Sequence, residues 1–129
     1  MHRILLREVV IDAPSDKFAA AREFWAAALC TEARQMSSHP EFTALVDPAA
    51  VPVVGLQEIV DDQARFHVDL ETDDVPAEVD RLVRLGAEEV SEGESWVVLR
   101  DPAGLLLCVV PAESADFAER SRAVPDPPR

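Results

Sequence analysis

An eight-residue pattern occurs twice in this chain. Residues 42–49 have the sequence FTALVDPA, and residues 96–103 have the sequence WVVLRDPA. Each copy combines a leading aromatic residue, a strand-forming apolar run and an Asp-Pro turn. A repeat of about 55 residues in a chain of 129 predicts two copies of one supersecondary unit, because a solenoid needs more repeats.

The same order of elements is predicted around both copies. In each of the two supersecondary units, a helix follows the first strand. Ser15 is a suitable N-cap for the first helix, and Asp73 and Asp74 are suitable for the second. Gly86 is a suitable residue to end the second helix. Alternating or continuous apolar runs predict the strands. The predicted strands are residues 4–12, 32–37, 41–46 and 51–59 in the first copy, and 65–71, 87–91, 96–100 and 105–110 in the second. The order is therefore β-α-β-β-β twice, which predicts an α+β fold.

The length of the chain predicts a single domain, residues 1–111, built from module one (about 4–60) and module two (about 65–111). The remaining tail, residues 112–129, is predicted to be partly disordered. It holds one predicted helical turn near Phe117, and its Pro-rich end from Val124 onwards is expected to be disordered. Trp25, in the first helix, is predicted to lie in the core.

Charge and composition exclude several kinds of partner. A formal net charge of −13 argues against nucleic acid and against anionic membrane surfaces, and it favours a cationic ligand over an anionic one. No apolar run approaches the ~18 residues of a membrane helix, and no targeting segment is recognised. Cys30 and Cys108 form no disulfide framework, so a reduced cytoplasmic protein is expected. The Arg-rich, Lys-poor composition is typical of a GC-rich, bacterial genome.

An ordered set of short strings carries a family resemblance. FHVDL occupies residues 66–70, LVRLGA residues 82–87, WVVLRDPAG residues 96–104 and CVV residues 108–110. Together with the paired βαβββ order, they resemble the vicinal-oxygen-chelate superfamily, the glyoxalase, bleomycin-resistance and extradiol dioxygenase group. The resemblance is closest to small glyoxalase-like proteins, many of which have no assigned activity. It implies two modules that form a cupped mixed β-sheet with flanking helices around a cavity, and chains that often form homodimers.

The resemblance also implies a set of site residues. In that superfamily each module places one metal ligand on its first strand and one on its last, which here gives Glu8, Gln57, His67 and Cys108. Glyoxalases typically have His or Gln, Glu, His and Glu there, so His67 matches and the other three depart. Glu8, Gln57 and His67 could hold a divalent Zn, Ni, Mn or Fe ion. The four positions together with Asp69 make up the expected ligand-binding pocket.

Three of these residues have a second interpretation. Cys108 lies in the apolar run LLLCVV, which is typical of a small buried hydrophobic residue. Gln57 could be an ordinary hydrogen-bonding residue of a strand. His67 lies on the polar face of a strand whose other face, Phe66, Val68 and Leu70, is expected to cover a helix. That polar face would point either into the cavity or into solvent.

Glu8 also has two interpretations. As the carboxylate of the ligand set, it is the candidate catalytic base. As a surface residue, it would instead pair with Arg7 or Arg65.

These observations leave three functional hypotheses open. The first is a protein that binds a small polar or cationic molecule in the cavity between the modules, with no tightly bound metal. Its support is the acidic face formed by Glu8, Asp69 and Glu71. The second is a metal-dependent lyase, isomerase or dioxygenase acting on a small oxygenated substrate; as an enzyme, the chain would be a glyoxalase-like lyase or a dioxygenase. The third is a purely structural or regulatory dimer with a vestigial pocket.

Overall fold

The computed structural model describes residues 1–28, 32–46 and 54–124. Within these ranges the chain forms nine strands and three helices, which confirms the α+β class and the βαβββ order of both modules. No helix among the described residues is long and apolar enough to span a membrane. The elements are β1 (Arg3–Pro14), α1 (Phe18–Ala28), β2 (Glu32–Gln35), β3 (Phe42–Val46), β4 (Val54–Ile59), β5 (Arg65–Thr72), α2 (Val75–Arg84), β6 (Glu88–Glu92), β7 (Val97–Arg100), β8 (Leu106–Pro111), α3 (Phe117–Arg120) and β9 (Arg122–Ala123).

The chain divides into two compact units. The first unit is Glu8–His67, and the second unit comprises Met1–Arg7 together with Val68–Arg129. The divisions fall inside strands β1 and β5. The first residues of β1 are therefore grouped with the second half of the chain.

The sheet of the first unit has the strand order β2-β3-β4-β1. Strands β1 and β4 are parallel, with Val9 opposite Val54 and Asp12 opposite Gln57, and the other two pairings are antiparallel. Helix α1 contacts β2 and β4. The buried apolar side chains of this unit include Val10, Ile11, Leu45 and Leu56.

The start of α1 differs from the prediction. The helix begins at Phe18, so Ser15 and Asp16 precede it, and the predicted N-cap role of Ser15 is wrong. The Ser15 hydroxyl donates instead to the carbonyl oxygen of Ile59 at 3.4 Å. Serine hydroxyls bond to whichever backbone group lies within reach, and here the end of β4 offers an acceptor.

The sheet of the second unit includes the run β5-β8-β7-β6. Strands β5 and β8 are parallel, and β8-β7 and β7-β6 are antiparallel. Helix α2 covers one face of this run through a core of Val79, Leu99 and Val109. Within the described chain, β6 pairs with β7 alone. Val90 forms a bulge there, since the register shifts between Glu89 and Ser91.

Local signals correctly predicted both ends of α2. The Asp74 carboxylate accepts a hydrogen bond from the backbone N–H of Ala77 at 3.1 Å, as an N-cap residue does. Gly86 has a φ of 115°, the left-handed conformation that ends a helix and that glycine adopts without strain. The Asp-Pro turn of the second repeat is also confirmed, since Asp101 Oδ1 accepts from the N–H groups of Ala103 and Leu105.

The described part of the tail folds back onto the start of the chain. Helix α3 confirms the helical turn predicted near Phe117. Strand β9 then pairs antiparallel with β1, with Arg3 opposite Ala123. Val124, predicted as the start of a disordered end, is buried, and its N–H donates to the carbonyl of His2 at 2.8 Å.

Some predictions lie outside the described residues. These are the first Asp-Pro turn, Cys30, the side chain of Trp25, the start of the strand predicted at 51–59 and residues 125–129.

Candidate functional site

A buried imidazole–carboxylate pair lies in the first unit. His67 Nδ1, from β5, is 2.7 Å from Asp12 Oδ2, from β1, and only 7% and 3% of the two side chains are exposed. Because a carboxylate only accepts hydrogen bonds, Nδ1 carries the hydrogen in this pair. The pair therefore fixes the orientation of the His67 ring.

Arg65 connects this buried pair to the surface. Its Nη1 donates to Asp61 Oδ2 at 2.8 Å, whereas its Nε lies 3.7 Å from Asp12 Oδ2. The hydrogen bond from Arg65, aided by the backbone N–H of Gln63, lowers the pKa of the Asp61 carboxyl. A network of charged and polar side chains thus leads from the interior of this unit to its surface. Its members are His67, Asp12, Arg65 and Asp61.

Two buried atoms of this side-chain network lack a hydrogen-bond partner. They are Asp12 Oδ1 and Arg65 Nε, although the Arg65 nitrogen is within ion-pair distance of Asp12. Native proteins leave few buried polar atoms unsatisfied. A buried carboxylate oxygen without a donor therefore marks a place where a donor group of a ligand would be stabilised.

An open depression of about 570 Å³ adjoins this group. Arg65 and Asp61 belong to its lining, and Gln57 is the register partner of Asp12. The volume is in the range of pockets that hold small organic molecules. The residues that line it are Gln57, Glu58, Ile59, Val60, Asp61 and Arg65.

Glu8 lies against a glycine of the neighbouring strand. A Cβ atom built on Gly55 would be 2.7 Å from Glu8 Oε2, so the absence of a side chain at Gly55 makes room for this carboxylate. The structure gives contacts for both arginines that were considered as its partners. Arg7 contacts Glu71 at 3.2 Å, and Arg65 pairs with Asp61 and lies near Asp12.

In the second unit, Asp69 and Cys108 lie opposite each other on the parallel strands β5 and β8. Asp69 is 8% exposed, and Cys108 is a half-buried free cysteine. Leu107 and Val109, the neighbours of Cys108, belong to the core beneath α2. Alternation therefore places Asp69 and Cys108 on the face that turns away from this helix.

The polar face of β5 is buried rather than solvent-exposed. Glu71 has no exposed surface; it accepts hydrogen bonds from the Ser114 hydroxyl at 2.7 Å and the Ser114 N–H at 3.2 Å, and it pairs with Arg7. Glu71 therefore has a structural role. The opposite face of β5 is less buried than expected at the beginning of the strand, because Phe66 is 53% exposed.

Possible metal donors occur in both units. His67 offers an imidazole nitrogen in the first unit, whereas Asp69 and Cys108 offer an oxygen and a sulfur donor in the second. Of the metal set implied by the resemblance, Glu8, Gln57 and His67 all belong to the first unit.

Sequence reasoning did not identify Asp12 as a site residue, and it considered Arg65 only as a partner for Glu8. The sequence did carry a signal for Asp12, because it is a single carboxylate within the run VVIDAP, which otherwise predicts a buried strand. Its partner His67 is 55 residues away, and only the folded chain brings the two together.

Comparison with known proteins agrees with this fold. A family model described as "Glyoxalase-like domain" matches residues 8–110, most of the chain. No curated protein is detectably similar to the chain in sequence.

Three solved structures illustrate the likeness in fold. Methylmalonyl-CoA epimerase from Mycobacterium tuberculosis has a TM-score of 0.57 and 16% identity, over 88% of this chain and 91% of that one. A glyoxalase/bleomycin resistance protein/dioxygenase superfamily member from Vibrio splendidus 12B01 has a TM-score of 0.53 and 16% identity, over 84% and 100%. A hypothetical protein from Bacillus halodurans C-125 has a TM-score of 0.58 and 10% identity, over 86% and 96%.

These identities support a shared fold and no shared activity. Combined with the family match over residues 8–110 and the βαβββ order of both modules, they give the assignment. The chain belongs to the glyoxalase-like domain family of the vicinal-oxygen-chelate superfamily.

Proposed function

We propose that this chain binds a small cationic or polar molecule at Asp12, beside the depression of the first unit, without a tightly bound metal. The observation that carries the proposal is the buried Asp12 Oδ1, which has no hydrogen-bond donor although Oδ2 contacts His67. The depression is lined by Arg65, whose Nε lies 3.7 Å from the other oxygen of this carboxylate, Asp12 Oδ2.

The energetics favour a ligand with a charged donor. A hydrogen bond to a charged group contributes about 1.5–3 kcal/mol, and a buried carboxylate oxygen without one bears a desolvation cost. A cationic N–H on the ligand would satisfy Oδ1 and partly neutralise Asp12. The formal net charge of −13 also concentrates cations near the protein.

A pair of matched probes tests this proposal. Benzamidine and benzamide have nearly the same shape, but only benzamidine is cationic. Titrated into the full ¹⁵N-labelled chain and followed by NMR, benzamidine is expected to bind roughly 10-fold more tightly. The shifted amides should include residues 57–61 and 65–67.

Asp12→Asn is expected to remove the preference for benzamidine. The matched control is Glu32→Gln, which neutralises an exposed carboxylate of the same unit and should keep the preference. Equal affinities of the wild-type protein for the two probes would contradict the proposal. So would a preference that survives in Asp12→Asn.

A second proposal is that Glu8, Gln57 and His67, which all belong to the first unit, hold a divalent metal for a lyase, isomerase or dioxygenase reaction. A metal there would polarise substrate oxygens. His67 would supply an oriented nitrogen, because Asp12 holds its Nδ1. Elemental analysis of protein prepared without a His tag separates the two proposals. One equivalent of a transition metal that is lost in His67→Ala supports the metal site and contradicts metal-free binding.

The homodimer, the cytoplasmic setting and the bacterial origin are proposals as well, and they rest on the family resemblance and on composition. Light scattering of the purified chain tests the dimer, since a dimer has twice the monomer mass of 14.1 kDa.

A further inference from the structure

We infer that Arg65 is an internal competitor of the ligand: its guanidinium lies 3.7 Å from Oδ2 of Asp12, the same carboxylate to which a cationic ligand group would bind through Oδ1, and Asp61 holds it back. This inference rests on the proposed binding at Asp12. It adds a specificity-determining pair, Arg65 and Asp61, to that site.

The two contacts of Arg65 are unequal. The 2.8 Å contact with Asp61 is a hydrogen bond, whereas the 3.7 Å approach to Asp12 is an ion pair without one. Consistently, Arg65 Nε is buried and has no hydrogen-bond acceptor. The guanidinium is therefore fixed at its outer end and loosely held at the end that faces Asp12.

The side chains of these three residues become more buried from Asp61 to Asp12. The Asp61 side chain is 43% exposed, that of Arg65 is 36% exposed and that of Asp12 is 3% exposed. Arg65 and Asp61 both line the depression, so a ligand there would contact this ion pair.

The chemistry makes Arg65 a permanent competitor. A guanidinium carries a permanent positive charge. It can only move towards Asp12 or away from it. Asp61 determines which of these positions the guanidinium takes, because its hydrogen bond retains the outer end of the guanidinium. Removing Arg65 should therefore strengthen cation binding at Asp12, and removing the Asp61 charge should weaken it.

The experiment is a benzamidine titration of four variants, followed by amide NMR. Arg65→Gln is expected to tighten binding by roughly 3- to 10-fold, because a cation that competes at the edge of the site is gone. Its matched control, Arg34→Gln, removes a charge from an exposed position of β2 and should change affinity less than 2-fold.

Asp61→Asn is expected to weaken benzamidine binding by roughly 3- to 10-fold. Its matched control is Glu58→Gln, which removes the same charge from the lining of the depression, whereas the ion-pair partners of Arg65 are Asp61 and Asp12. The Asp61 variant must weaken binding at least 3-fold more than this control, because the inference requires release of Arg65 and not merely loss of negative charge.

The outcomes separate the inference from the proposed function. If the wild-type protein prefers benzamidine and Asp12→Asn loses that preference, but Arg65→Gln binds no more tightly, the inference is wrong and the binding site stands. The inference is also wrong if Asp61→Asn equals Glu58→Gln. If neither the wild-type protein nor Arg65→Gln binds benzamidine, the proposed function itself fails. Should Arg65→Gln not fold, as its amide spectrum would reveal, the Asp61 comparison decides alone.

Discussion

Glu78 of α2 is a buried carboxylate held by two side chains, and its removal should measurably weaken the fold. Its oxygens accept hydrogen bonds from Arg81 Nε at 2.8 Å and Arg81 Nη2 at 2.6 Å, and His2 Nε2 lies at 2.5 Å. The Glu78 side chain has no exposed surface. We predict that Glu78→Gln lowers the free energy of unfolding by about 2–4 kcal/mol at pH 7.

The magnitude follows from what glutamine cannot replace. Its amide keeps one acceptor oxygen, but its NH₂ group would face a donor of Arg81 or His2. Each hydrogen bond to a charged group contributes about 1.5–3 kcal/mol. The loss should stay at or below the 3–5 kcal/mol of a fully buried pair, because the Arg81 side chain is 24% exposed and can regain water.

The effect should depend on pH in a defined direction. Burial acts to raise the pKa of Glu78, but the hydrogen bonds from Arg81 and His2 outweigh it, so the pKa lies below its ordinary value of 4.5. A carboxyl whose folded pKa is depressed stabilises the fold fully above its unfolded pKa. That stabilisation is lost as the pH falls through the folded pKa. The difference between the wild-type protein and Glu78→Gln should therefore shrink below about pH 4.

Urea unfolding followed by circular dichroism at pH 7 and pH 3 measures this difference. The control is Asp80→Asn, an exposed carboxylate on the same helix, which should change stability by no more than about 0.5 kcal/mol. A loss for Glu78→Gln equal to that of the control at pH 7 would refute the reasoning. A difference that widens at pH 3 would refute the assigned direction of the pKa.

Two further substitutions test contacts of the second unit by urea unfolding. Gly93→Ala should lower stability by about 1–3 kcal/mol and shift the Trp fluorescence, because the new Cβ would lie 2.0 Å from the Trp96 ring; unchanged fluorescence and stability would show that the ring moves without cost. Ser114→Ala should cost about 1–3 kcal/mol, because it removes the 2.7 Å hydrogen bond to the buried Glu71 carboxylate. A cost below about 0.3 kcal/mol would mean that water replaces the hydroxyl.

Features that depend on neighbouring residues were predictable from the sequence. The cap at Asp74, the left-handed Gly86 and the turn at Asp101 each arise from a side chain and backbone groups a few residues away. The ordered repeat of such signals was enough to predict the βαβββ order. Ser15 shows the limit of local reasoning, because its acceptor lies on a strand more than forty residues later.

The candidate site depended on contacts that local patterns do not contain. Asp12 has the sequence context of a buried strand, and its functional interest comes from His67 and Arg65, which only the fold brings beside it. The family positions placed His67 in the site but gave no information on which group orients its ring. Burial of the polar face of β5 was likewise not predictable, because it depends on what covers that face, such as Ser114 over Glu71.

The edge strand β6 has a consequence for how copies of this protein meet. A strand that pairs on one side only offers its free backbone groups to another chain, which is a common start of aggregation. Here the edge carries Glu88, Glu89 and Glu92 and is interrupted by the bulge at Val90. Pairing of the β6 edges of two copies would bring like charges together, and the backbone hydrogen bonds could not align over the bulge. Resistance to association through the β6 edge is thus built into this one strand, so two copies of the protein would have to meet through another surface.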